Sequence, residues 1–259
     1  MDLKDDAVKG IVPWDGTLSS FDFSLSAHTF SDKWKRFNPS FPAWQWITCP
    51  KQHHLVASHK VEGYLSLENM CHIKSSQEQE SDRSLTWKEE SNISQREEPF
   101  DKATLVCPEH EVNHYDFHIV YSASYRVPVL YFRSYRSDVD TRNASYINNP
   151  AQFIAYDGQL LPFNEIEKDL PGHSAKLRSE SKWTFITHEE HPYLNRPWYK
   201  LHPCGTSDWM KLLFHSDSSL NKNGFVIEQY LISWFSVIGQ VVGLKIPLEM
   251  LDTVVSNDS

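Results

Sequence analysis

Glycine is scarce in this chain, nine residues in 259, and nowhere are glycines gathered into the loop that cradles a nucleotide's phosphates. Positive charge is also short. Lys and Arg total 25 against 34 Asp and Glu, for a net charge of -9. Such a field repels phosphate backbones, and no local basic patch offsets it, so no nucleic acid is expected as a partner. No apolar run approaches the ~20 residues needed to cross a bilayer, so no stable membrane insertion is expected either. The four cysteines, Cys49, Cys71, Cys107 and Cys204, are widely scattered. The opening Met1-Asp2-Leu3-Lys4-Asp5-Asp6 lacks the charged-then-apolar pattern of a secretory signal. A cytoplasmic location with reduced thiols is the expectation, and Asn143-Ala144-Ser145 is read as a chance glycosylation match.

What is present is ample core material, 40% hydrophobic residues and 13% aromatics. Residues 1–20 show no periodicity and read as a flexible leader. Leu25, Phe30, Trp34 and Phe37 have roughly helical spacing, with Lys33, Lys35 and Arg36 toward the end where cations suit the helix dipole, and Asn38-Pro39 stops the run. Residues 44–48 and 62–73 read as strands. From Lys74 to Lys102 acids (Glu78, Glu80, Asp82, Glu89, Glu90, Glu97, Glu98, Asp101) and bases lie among Ser and Gln. That stretch buries too little to offset chain entropy and reads as a disordered insertion, 74–102.

The strongest strand signal runs from Tyr115 to Tyr135, with Phe117, Ile119 and Tyr121 on one face and a similar alternation at Val127, Val129 and Tyr131. A polar, Asn-rich loop insertion follows at 137–156, then a turn at Asp157-Gly158. Phe163 to Leu170 predicts a short helix closed by Pro171-Gly172, and Trp183 to Thr187 a strand. Val226 to Val242 predicts a long core helix with one narrow polar stripe, Gln229, Ser233, Ser236 and Gln240. This order gives an α+β fold, helices packed against one antiparallel sheet. Residues 21–251 form a single domain with the two insertions, and 252–259 a tail.

One segment carries chemistry. Trp198 to Leu201 is strand-like and feeds into His202-Pro203-Cys204-Gly205-Thr206. Pro203 fixes the backbone direction, Gly205 permits a turn closed to bulkier residues, and Asp208-Trp209-Met210 begins a helix. A cysteine on such a strand-to-helix turn is exposed, with backbone amides nearby to favour thiolate. The bland alternative is a buried structural cysteine. Flanks of His, Pro, Gly and Thr rather than aliphatics favour the reactive reading.

These residues, together with Tyr121-Ser122-Ala123-Ser124-Tyr125-Arg126-Val127-Pro128-Val129-Leu130-Tyr131-Phe132, Glu189-Glu190-His191-Pro192 and Trp234 to Leu244, resemble the autophagy-related protein 3/10 family of conjugating enzymes. Within it, the autophagy-related protein 10 branch is the nearer. The likeness runs from about Leu25 to Leu251 with gaps. It implies a ubiquitin-conjugating-enzyme-like core. It also implies that Cys204 accepts autophagy-related protein 12 as a thioester from the activating enzyme, autophagy-related protein 7. Transfer then goes to a lysine of autophagy-related protein 5. By the same resemblance His202 lines the site and Tyr125 stands near the cysteine. Either could donate a hydrogen bond to the oxyanion formed at the thioester carbonyl. Residues 137–156 stand where relatives carry a tight connection, a departure from the pattern.

Other candidates are set beside bland readings. His191-Pro192 with Asn195 is similar to the His-Pro-Asn element of ordinary ubiquitin-conjugating enzymes, but an asparagine in a turn is commoner. Cys107, His110, His114 and His118 have intervals suited to metal ligation. No further cluster completes four ligands, so they read as loop and strand-edge residues, and no metal or cofactor is expected. The rival functions are the sister enzyme that attaches autophagy-related protein 8 to lipid, and a non-catalytic adaptor that binds ubiquitin-like folds through a strand edge. A papain-like hydrolase needs a His base with an orienting Asn or Asp, and no such pair is placed.

Overall fold

The computed structural model describes residues 14–49, 63–73, 87–89, 112–136, 161–170, 186–215 and 223–251. Helix α1, Ser20–Phe37, opens with a capping box. Ser19 Oγ accepts from Asp22 N while the Asp22 carboxylate receives the Ser19 N–H. Its buried stripe is Phe23, Ala27, Phe30 and Trp34. The predicted helix is present, but Leu25 is 45% exposed and belongs to the other face.

The sheet contains β1 (Gln45–Thr48), β2 (Gly63–Ile73), β3 (Trp87–Glu89), β4 (Val112–Ser122), β5 (Val127–Arg136), β6 (Ile186–Glu190) and β7 (Pro197–Leu201). The strand path is β1-β2-β4-β5-β7-β6, with β3 pairing to the far end of β2, and every pairing is antiparallel. Phe117 stands opposite Phe132 and Ile119 opposite Leu130. Because side chains alternate, these four face the main core, whereas Val120, Val129, Tyr131 and Trp198 form a second buried cluster with Tyr64 on the other face. Both faces of the central strands are thus covered, so that even the polar residues of β4, Asn113, His114, Asp116 and His118, are buried.

Between Leu67 and Met70 the pairing with β4 slips by one residue. Asn69 takes the extra position with φ 59°, and its N–H donates to Asp116 Oδ1 at 2.9 Å. This bulge restores Met70 to the core side after two exposed residues.

Three further helices follow: α2 (Phe163–Asp169), α3 (Thr206–His215) and α4 (Asn223–Val241). α1 and α4 pack together through Phe235, whose ring centroid lies 5.2 Å from Phe30, 5.6 Å from Trp44 and 6.0 Å from Trp34. α4 ends in a Schellman motif: Leu244 N donates to Gly239 O and Gly243 N to Gln240 O, with Gly243 at φ 79°. Gly239 permits the fold-back, since a Cβ there would lie 2.6 Å from Leu244 O.

The α+β layering is as expected, with three corrections. The leader is not loose over 14–20. Leu18 is buried at 2% exposure, and Trp14 lies edge-on to Phe214 and Tyr230. Apolar side chains spaced without periodicity gave no signal of that packing. Within the stretch expected to be disordered, Trp87–Glu89 pairs with β2 as β3, since backbone pairing needs no apolar pattern; the rest of 74–102 lies outside the described residues. So do the insertion 137–156 and the tail 252–259. The strand expected at 183–187 is seen at Ile186–Glu190. Among the described residues no helix is long and apolar enough to cross a membrane.

Candidate active site

The site is built where two sheet connections meet. β5 and β7 run antiparallel, Tyr131 opposite Lys200, so the turn 123–126 between β4 and β5 lies at the same sheet end as the segment after β7. That segment is His202-Pro203-Cys204-Gly205. Gly205 has φ 77°, a conformation costly for a residue with a Cβ. Its carbonyl accepts Trp209 N at 3.1 Å, the first bond of α3. Cys204 therefore stands just before a helix N-terminus, where unsatisfied amides and the helix dipole favour an anion such as a thiolate. Its side chain is half-buried, neither sealed in the core nor fully in solvent.

His202 connects Cys204 to Tyr125. Cys204 N–H donates to His202 Nδ1 at 3.2 Å. Nδ1 is thus the acceptor, which in the neutral ring puts the proton on Nε2. Nε2 faces Tyr125 Oη at 3.5 Å, a long contact, with the two rings edge to face at 5.5 Å. Tyr125 is 45% exposed, so its hydroxyl is accessible to an incoming group. The three residues singled out in the sequence, Cys204, His202 and Tyr125, are brought together here from segments nearly eighty residues apart.

The other candidates are elsewhere. Asn195 has φ 50° and its N–H donates to His191 O at 3.1 Å, the left-handed turn position that asparagine tolerates. All of β7 separates it from Cys204, about 17 Å at the usual strand rise. Among the described residues no group of three or more His, Cys, Asp or Glu could hold a metal ion; Cys107 and His110 lie outside them.

His118 is not the strand-edge residue expected. It occupies a central strand, is fully buried, and faces an equally buried His191, Nδ1 to Nε2 at 3.0 Å. Tyr193 N–H donates to His191 Nδ1 at 3.3 Å, so His191 Nε2 carries the proton and donates to His118 Nδ1. His118 Nε2–H is then directed to Ser66 Oγ at 3.0 Å and Glu68 Oε1 at 3.2 Å. One order of protons satisfies all of these bonds, and in it both rings are neutral. Burial keeps them so: the His191 pKa is pushed down to about 3 by desolvation, with His118 and Arg133 adding to it. Desolvation lowers the His118 value as well, against the pull of Glu68. Arg133 lies over the Trp198 ring at 4.9 Å and pairs with Asp116 at 2.8 Å. Sequence reasoning missed this pair because its partners lie 73 residues apart, and because the alternation that turned Phe117 and Ile119 to the core turned His118 to the other face of the strand, whose covering no local pattern showed.

On β7, Lys200 Nζ meets Glu189 Oε2 at 2.7 Å. That lysine, and the Thr187 hydroxyl, hold the Glu189 carboxyl below its ordinary range.

Residues 22–249 match the family described as "Autophagocytosis associated protein, active-site domain". A protein of Arabidopsis thaliana named "Ubiquitin-like-conjugating enzyme ATG10" is 50% identical over 239 residues, 92% of this chain and 96% of its own length. The human protein of that name is 36% identical over 138 residues, 53% of this chain and 52% of its own. A solved crystal structure titled as the autophagic E2 Atg10 aligns with TM-score 0.36 and 13% identity, over 87% of this chain and 97% of that one. The chain belongs to the autophagocytosis-associated active-site domain family, and it is a ubiquitin-like conjugating enzyme of autophagy.

Proposed function

We propose that Cys204 carries autophagy-related protein 12 as a thioester, received in the cytosol from autophagy-related protein 7 and passed to a lysine of autophagy-related protein 5. The observation that carries this reading is a half-buried thiol at a helix N-terminus, flanked by His202 and Tyr125. In the first step Cys204 Sγ, as thiolate, attacks the thioester carbonyl, and the activating enzyme's cysteine leaves as thiolate. In the second a neutral lysine amine attacks the same carbon, Cys204 thiolate leaves, and the amine's extra proton passes to solvent. Both steps pass through a tetrahedral oxyanion. We assign the donor to that oxyanion to Tyr125 O–H or His202 Nε2–H, which meet at 3.5 Å beside the Cys204 segment. The family's resemblance to the sister enzyme for autophagy-related protein 8 makes that protein the control substrate.

The test is a non-reducing gel of the protein with activating enzyme, ATP and autophagy-related protein 12 or 8. The wild type forms an adduct that reductant releases, Cys204→Ser forms one that reductant leaves intact, and Cys204→Ala forms none. An adduct that persists in Cys204→Ala, or a preference for autophagy-related protein 8, overturns the reading.

A further inference from the structure

Residues Trp14 to Leu18 precede the first helix, yet they are bonded to both walls of the candidate site. Toward the turn that carries Tyr125, Leu18 N–H donates to Arg126 O at 2.8 Å, and Leu18 O accepts Tyr121 Oη–H at 2.8 Å. Asp15 Oδ2 pairs with Arg126 Nη1 at 3.2 Å. Arg126 itself has φ 56°, a strained conformation for a residue with a side chain, and its N–H closes the turn onto Ser122 O at 2.7 Å.

Toward the helix that begins after Cys204, the segment is in equally close contact. Buried Gly16 has φ 80°, and a Cβ there would lie 2.0 Å from Ser207 O and 3.0 Å from Lys211 Cγ. Gly16 O accepts the hydroxyl of buried Tyr230 at 2.8 Å. Trp14 closes over Phe214 at 5.6 Å, on the same helix α3. Asp15 Oδ1 holds the intervening Thr17 through both its N–H and its hydroxyl, which stiffens the short connection between the two anchors.

We infer that Trp14–Leu18 is a positioning strap that fixes the distance between the Tyr125 turn and Cys204, with Gly16 and Asp15 as its two attachment residues. The strap acts through Arg126 and through the start of α3. Without it the turn beside the Tyr125–His202 contact, already 3.5 Å long, loses the bonds that Leu18 and Asp15 make to Arg126. The inference rests on the reading of Cys204 as the thioester carrier.

The experiment measures single-turnover discharge of autophagy-related protein 12 from preformed Cys204 thioester to increasing autophagy-related protein 5. The full chain is used, as wild type, Asp15→Ala, Gly16→Ala and Tyr125→Phe, and as the two double variants with Tyr125→Phe. Asp15→Ala breaks an exposed ion pair and two exposed bonds to Thr17, surface contacts worth little to folding, so its unfolding midpoint stays near wild type. Misplacement of a catalytic group by about 1 Å costs up to roughly a hundredfold in rate. A fall in the saturating rate approaching the roughly tenfold loss of Tyr125→Phe is expected for Gly16→Ala and a smaller one for Asp15→Ala, with half-saturation unchanged. In the Tyr125→Phe background neither substitution lowers the rate further. Wild-type rates in a folded Asp15→Ala, or losses that multiply with Tyr125→Phe, overturn the inference; should Gly16→Ala not fold, Asp15→Ala decides. Failure of the underlying reading shows separately, as absence of a Cys204 adduct.

Discussion

The buried pair His118–His191 makes a quantitative prediction about acid. The His191 value falls from the ordinary 6.5 to about 3 on folding, so between those pH values the unfolded chain binds a proton that the folded chain refuses. Stability from keeping the ring neutral is therefore present in full above about pH 7, and it drains away as pH drops through 6.5 toward 3. From pH 8 to pH 5 the loss is about 2 kcal/mol for this one ring, and it changes little if the folded value is 4 instead of 3. His118, shifted the same way by burial, steepens the slope. The carboxylates with depressed values, Asp15, Glu68 and Glu189, act with the same sign, but they lose their contribution only below about pH 4.5, beneath the window of the histidines. The interval from pH 7 to pH 5 therefore isolates the imidazoles. Urea unfolding at pH 8, 7, 6 and 5, on wild type and His191→Asn, is the assay. The variant starts less stable at pH 8, having lost the bonds to Tyr193 and His118, but its decline to pH 5 is shallower by about 2 kcal/mol. A decline as steep in the variant as in the wild type would refute the neutral, proton-ordered pair.

Removal of either proposed oxyanion donor is expected to leave adduct formation measurable and to slow transfer from it. A buried oxyanion donor is worth ~10² to 10³ in rate, and at an exposed site we expect about tenfold for Tyr125→Phe or His202→Ala, read from single-turnover discharge; unchanged rates in both would remove them from the mechanism. Phe235→Ala empties the junction of Phe30, Trp34 and Trp44 and should cost about 3–5 kcal/mol by urea or thermal unfolding. A cost under about 1 kcal/mol would mean that the junction collapses without loss.

Local pattern made much of this protein legible in its sequence. The alternation around Phe117 and Ile119 declared paired strands, the mostly apolar run from Val226 declared a core helix, and Pro203-Cys204-Gly205 declared a strand-to-helix turn with an accessible thiol. Each follows from periodicity or backbone restriction within a dozen residues, which physical rules read directly. Even Asn195 obeyed such a rule, as a turn residue.

What only the tertiary structure decided depends on contacts between distant segments. Antiparallel pairing of β5 with β7 brought Tyr125 to His202. The same sheet buried His118 against His191 and fixed their protons, and it gave Trp14–Leu18 two walls to bind. No local period encodes these meetings, because a hydrogen bond's partner is set by which strands lie side by side, and that is a property of the whole chain's packing.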